Sequence, residues 1–313
     1  MVSNVETRPQ NIFRGVALIV AAALTISIQD VVFKLFSSEL TLWQIFTLRG
    51  VLSVPMLLVV IWVRRTHKGV VRTALGKWPV LRSLFITTTF VAFYAAIPFL
   101  SLSTVGAANY IAPIFVTLLS AHVIKETVGP LGWLGVLLGF IGVVVLLQPG
   151  TAAFSIWAVL PVIGAVFYAL AHITTRVKCQ NVPLAAMSLS LNLTMLIVGL
   201  IISVLLVWLN PQGKIVEAYP YIFGLWSSLG LTDWLVLALL AAFAIVVGVL
   251  LAGAYQAAPP SIVSTFEYSY LVFAAVWDIV FFGIAPTIAS VSGMALIVFA
   301  GLLVLRRKSS NRS

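Results

Sequence analysis

Ten stretches of roughly twenty predominantly apolar residues run along the chain, at 13–36, 42–63, 79–101, 104–124, 130–148, 155–175, 184–209, 232–256, 261–283 and 287–305. About 20 such residues cross the hydrocarbon core as a helix. The stretches are continuously apolar, without the alternation of a membrane β-barrel strand. The expected fold is therefore an all-α polytopic membrane protein with ten transmembrane helices. The first stretch starts like a signal peptide, with Arg14 ahead of Ala21, Ala22 and Ala23. It continues long enough to span, so it reads as an uncleaved first helix.

Composition agrees: 62% of the 313 residues are hydrophobic and 8% are charged, where a soluble domain carries about a quarter charged. The single cysteine, Cys179, excludes an intramolecular disulfide, and no paired-cysteine metal spacing exists. A net charge of +10 raises the question of nucleic acid. The distribution of the basic residues answers it. Fifteen of the 18 lysines and arginines, Arg82 among them, are assigned to one side of the ten-helix arrangement. Lys214 alone falls on the other side, and Lys34 and Arg49 fall within spans. That asymmetry is a topology signal that puts both termini in the cytoplasm. Spread over separate short loops, these residues form no nucleic-acid surface.

Residues 104–148 and 261–305 repeat an order of features. Each opens on small and hydroxyl residues, runs through an apolar helix and breaks at a proline, Pro130 or Pro286. Each resumes with glycines, Gly135 and Gly139 or Gly293 and Gly301. The chain then divides into five-helix halves at 13–148 and 155–305, with cytoplasmic tails at 1–12 and 306–313. Five is odd, so the two copies insert in opposite senses. Such inverted repeats are an architecture of secondary transporters, which hold substrate near the midplane between the repeats.

Four further features carry a family resemblance. They are Arg49 in LRGVL, the run from Ala107 to Phe115, the acid Glu126 in KETVGPLGWLGVLLGFIGVVVL, and the ending GMALIVFAGLLVLRRK. With them the chain resembles the drug/metabolite transporter superfamily, EamA type. The resemblance covers about 13–308 and implies a multi-pass transporter of small molecules in the bacterial inner (plasma) membrane. One departure is clear: the second half reads FFGIAPT, with Ile284 where the family often carries a glutamate.

An ionised side chain at a helix centre costs roughly 2.5–3.5 kcal/mol on insertion scales, so each one is a candidate for function. Asp30, Lys34, Arg49, Glu267 and Asp278 meet the criterion. At about 1.5 Å per residue, Lys34 lies close enough to the outer end to snorkel as an anchor. Asp30 and Arg49 lie deeper, and a short turn at 37–41 would let them pair across a helix hairpin. At helical spacing Glu267, Tyr270, Ala274 and Asp278 share a face, which reads as a cavity wall. Tyr94, Asn109, Tyr110, Tyr168, His172, Asn192, Tyr255 and Gln256 add neutral polar groups within spans. Each could line a pocket or bond a neighbouring helix. Trp43, Trp62, Trp78, Trp133, Trp157, Trp208 and Trp234 fall near helix ends, as an aromatic belt requires. The aromatic-rich 210–232 loop is expected on the membrane surface or over the outer mouth.

No HExxH, GxSxG or phosphate-loop motif supports an enzyme, and no metal site or cofactor is expected. The reading is a secondary active transporter of a small organic metabolite, an amino acid or related compound, in the export direction and by alternating access. Asp30 or Glu267 is the candidate for proton coupling. Uptake of a vitamin, nucleoside-like or similar polar aromatic compound is the alternative, and a lipid flippase is the alternative of another class. Expected partners are the substrate, the lipid bilayer and protons, with the chain a monomer or homodimer.

Overall fold

A computed structural model describes residues 11–36, 40–63, 69–96, 111–147, 157, 159–283 and 288–310. The described residues are helical and contain no strand. In chain order the helices are α1 (Ile12–Phe36), α2 (Leu42–Val63), α3 (Val70–Ala74), α4 (Lys77–Ala96) and α5 (Ala112–Leu119), which a π-helical turn extends to Ile124. Next come α6 (Pro130–Leu147), α7 (Val159–Lys178), α8 (Leu184–Leu209), α9 (Lys214–Ala218) and α10 (Pro220–Phe223). The last four are α11 (Leu231–Ala257), α12 (Pro260–Glu267), α13 (Ser269–Phe282) and α14 (Ile288–Ser310). Among the described residues seven helical segments are long and apolar enough to cross a membrane, one of them running from Pro260 to Phe282 through α12 and α13. Ala112–Ile124, Pro130–Gly142 and Val291–Ala300 are shorter apolar helices. The protein is a multi-pass membrane protein.

Without a strong hydrophobic drive between helices in lipid, close backbone approach through small residues holds a bundle together. The main pairs are α1 with α11, α2 with α8, α4 with α7, and α6 with α14. A Cβ on Gly50 would stand 2.6 Å from the Cβ of Leu196 on α8. One on Gly139 of α6 would stand 2.5 Å from the ring of Tyr268, which is fully buried. Apolar side chains far from these seams face outward: Val59, Trp62, Ile201, Val204 and Trp208 are each at least 59% exposed.

Two expectations change. Consecutive helices α1 and α2 do not make the expected packed hairpin: α1 packs against α11, α12 and α13, while α2 packs against α8 and α11. Trp43 is no belt residue. It is buried, and its indole N–H donates to the Ile222 carbonyl at 2.8 Å. Beside it Gln44 donates to the Ser227 carbonyl at 2.8 Å and accepts from the Ser227 amide at 3.1 Å. The 210–230 segment is thus fastened to the first turn of α2, with Trp226 donating to Ser203 of α8 at 3.0 Å. It lies at the bundle end where α1 finishes and α2 begins, the Leu42 end; the opposite one is the Ile12 end.

A Cβ on Gly199 would fall 2.7 Å from Thr47 Oγ1 and 2.9 Å from the Thr47 amide nitrogen. Gly199→Val is therefore expected to destabilise the fold by about 1–3 kcal/mol through overpacking. It should lower the thermal midpoint in detergent, and an unchanged midpoint would contradict this α2–α8 contact.

Candidate functional site

The ionisable groups within the spans sort into two clusters. In the half nearer the Ile12 end, Glu267 closes α12, where the helix is interrupted at Tyr268 before α13 begins. Its Oε1 accepts from the hydroxyl of Tyr255 at 2.6 Å and from that of Tyr168 at 2.9 Å. Hydrogen bonds to a charged group are worth about 1.5–3 kcal/mol each. Tyr168 and His172, one turn apart on α7, have ring centroids 4.2 Å apart, and His172 stacks on Tyr255 at 3.8 Å. Two helices thus deliver phenols to one carboxyl, with the imidazole between the rings.

Arg82 of α4 is the neighbour that the sequence reading misplaced. Counted there among the basic residues on the cytoplasmic side, it is fully buried against α7. Its Nε donates to Thr175 Oγ1 at 3.3 Å, and both terminal nitrogens lack a partner among the described residues. Both His172 nitrogens are likewise buried and unpartnered. An uncompensated buried charge is expensive, several kcal/mol after relaxation.

The second cluster lies toward the Leu42 end. Asp30 of α1 accepts a hydrogen bond from the Tyr270 hydroxyl on α13. Arg49 of α2 is half-buried, and its Nη2 lies 3.1 Å from the Met195 sulfur on α8. The expected Asp30–Arg49 pair is not formed, because α1 and α2 pack against different helices. The expected single stripe on 267–278 is also divided: Glu267 is held by α7 and α11, Tyr270 by α1.

Other candidates lie elsewhere. Asn192 accepts from Ser53 at 2.8 Å and donates to the Ser188 carbonyl, bonding α2 to α8. Gln256 donates to the carbonyls of Cys179 and Val182, and its own carbonyl accepts from Arg176, which clasps the α7–α8 turn. Asn109 and Tyr110 lie outside the described residues, as do the side chains of Lys34 and Asp278. Glu126, between α5 and α6, accepts from Ser120 and from Ser261 at the start of α12. Sequence reading missed Arg82, Met195 and Tyr221. The hydroxyl-rich run Ser83, Thr87, Thr88, Thr89 was the available signal for the first. Among the described residues no group of three or more metal-ligating side chains occurs.

Among the described residues, Glu267 and Asp30 accept from phenols, and neither Arg49 nor Arg82 pairs with a carboxylate. Residues 13–148 match the EamA-like transporter family. Over nearly its whole length the chain is similar to named transporters of bacteria. It is 24% identical over 295 residues to the pseudopaline exporter CntI of Pseudomonas aeruginosa, covering 94% of this chain and 96% of that one. It is 23% identical to a riboflavin transporter of Brucella anthropi, covering 85% and 87%. It is also 23% identical to an S-adenosylmethionine uptake transporter of Rickettsia prowazekii, covering 96% and 95%. A solved crystal structure shares the fold at TM-score 0.76 and 17% identity, over 94% of this chain and 97% of the other. These similarities point to a transporter of small molecules.

Replacing a buried, unpaired charge by an apolar group of similar volume is often neutral or stabilising, by about 1–4 kcal/mol. Arg82→Met is accordingly expected to hold or raise the thermal midpoint in detergent. A midpoint several degrees lower would mean that the guanidinium has a stabilising partner after all.

Proposed function

We propose that this EamA-like chain is a secondary active transporter of a small organic metabolite, an amino acid or related compound, working by alternating access of two inverted five-helix halves, 13–148 and 155–305. The observation that carries this reading is Glu267, set between Tyr168 and Tyr255 with unpaired arginines toward either end of the bundle. A carboxyl held by neutral donors can exchange its proton without leaving its seat. That makes Glu267 the coupling residue, with Asp30 under Tyr270 its counterpart in the other cluster.

The helix pairings support the repeat. Exchanging the first half for the second turns the α1–α11 pair into α7–α4 and leaves α2–α8 and α6–α14 as pairs with themselves. The interruption at Tyr268 supports a binding region near the midplane, where transporter helices are characteristically discontinuous. With the termini cytoplasmic, as the basic residues imply, the Ile12 end faces inward in a bacterial inner membrane. Export is the direction proposed. The relatives named for riboflavin and for S-adenosylmethionine uptake support a second reading, import of a vitamin-like or nucleoside-like compound.

Flux in proteoliposomes across an imposed pH gradient tests both readings, using aromatic amino acids, vitamins, nucleosides and short lipids as solutes. The expected result is saturable, gradient-dependent flux of at least one soluble compound, with gradient dependence lost in Glu267→Gln. Lipid scrambling with no soluble flux would reject the metabolite reading. Wild-type rate and gradient dependence in Glu267→Gln would reject its coupling role.

A further inference from the structure

Among the described residues Arg49 has no carboxylate, carbonyl or amide acceptor. The Arg49 guanidinium offers five N–H groups, yet its hydrogen-bond partner among the described residues is a thioether sulfur, a weak acceptor. Met195 belongs to the buried cluster against which Tyr94 and Tyr221 pack. Their ring centroids lie 6.4 Å apart, and neither hydroxyl is hydrogen-bonded to a described residue. Asp30 does not supply the missing acceptor: among the described residues its carboxylate accepts from Tyr270, and no bond joins it to Arg49. Arg49, Tyr94 and Tyr221 are all half-buried, so the place is neither sealed by packing nor open to the surface.

The walls are specific as well. Tyr94 is the hub of an aromatic group that includes Phe46 at 6.2 Å, Phe90 at 6.3 Å and Phe93 at 5.5 Å between ring centroids. Tyr221 comes from α10, in the segment fastened to α2 through Trp43 and Gln44.

We propose that Arg49, Tyr94 and Tyr221 form the docking site for the carboxylate of an organic solute, whose apolar body rests against the half-buried Phe90 and Phe93. This proposal rests on the transporter reading and names the chemistry its substrate carries. A carboxylate fits better than a phosphate, because one guanidinium flanked by neutral phenols balances a single negative charge. Arginine presents paired N–H groups in the geometry of a carboxylate's two oxygens, and the phenols add neutral donors.

Four probes test it on the purified full chain in detergent: hydrocinnamate, phenylalanine, phenethylamine and phenyl phosphate, with binding followed by tryptophan fluorescence. The two carboxylates are expected to bind saturably and phenethylamine at least tenfold more weakly, as loss of a charge-assisted hydrogen bond implies. Phenyl phosphate should bind more weakly than hydrocinnamate. Arg49→Gln should reduce carboxylate affinity about tenfold or more, and Tyr221→Phe, which keeps the ring in place, should reduce it several-fold. Equal binding of phenethylamine and hydrocinnamate, tighter binding of phenyl phosphate, or unchanged affinity in Tyr221→Phe would overturn the proposal. So would flux of a carboxylate-free solute with no binding of either carboxylate, which would leave the transporter reading standing. Failure of that reading shows differently, as absence of solute flux through the wild-type chain.

Discussion

A polar group between apolar helices must be hydrogen-bonded or wetted, because leaving it bare costs kilocalories that lipid cannot return. Most polar groups in this protein meet that demand locally. Thr25, Thr47, Thr89 and Thr194 return their hydroxyls to a carbonyl four residues back, and Asn192 and Gln256 bind neighbouring helices. Against that background the exceptions carry information. Among the described residues the Arg82 terminal nitrogens, both His172 ring nitrogens, the Gln180 amide nitrogen and the hydroxyls of Ser83, Thr87, Thr117 and Ser190 are buried without a partner, and Arg49 bonds a thioether.

The arrangement also separates charges that would otherwise cancel. Asp30 and Glu267 are each satisfied by tyrosine, and Arg49 and Arg82 are each kept from a carboxylate. A closed ion pair would fix the helices to which it belongs. Neutral phenol bonds hold an acid in place and leave its charge free to change. The interruption at Tyr268 lets one span serve both clusters, Glu267 before it and Tyr270 after it.

Much of this was legible in the sequence, because the period and length of apolar runs are set by the bilayer. Apolar helices lie where the long windows predicted them, and Asp30, Arg49, Tyr168 and Glu267 stood out as polar residues in apolar text. Neighbours were not legible. The short turn after α1 suggested that Asp30 would meet Arg49, but the partner of each helix is set by small-residue seams such as Gly50 against Leu196. Arg82 was lost for a related reason. One turn into a span and near other basic residues, it read as an interfacial cation until packing against α7 showed it buried. Tyr221 lay in a loop, where sequence gives an aromatic no address.

The central claim is that Arg49 and Tyr94 face a solute path between the helices, not lipid. Thiol labelling tests it most directly, in a chain whose one cysteine, the buried Cys179, is replaced by serine. Tyr94→Cys should react with a water-soluble, membrane-impermeant maleimide in vesicles, and a carboxylate that binds should slow the reaction. Ile197→Cys, on the outward face of α8 one residue beyond the Gly50 contact, should stay unreactive. An unreactive Tyr94→Cys beside a reactive Ile197→Cys would contradict the account.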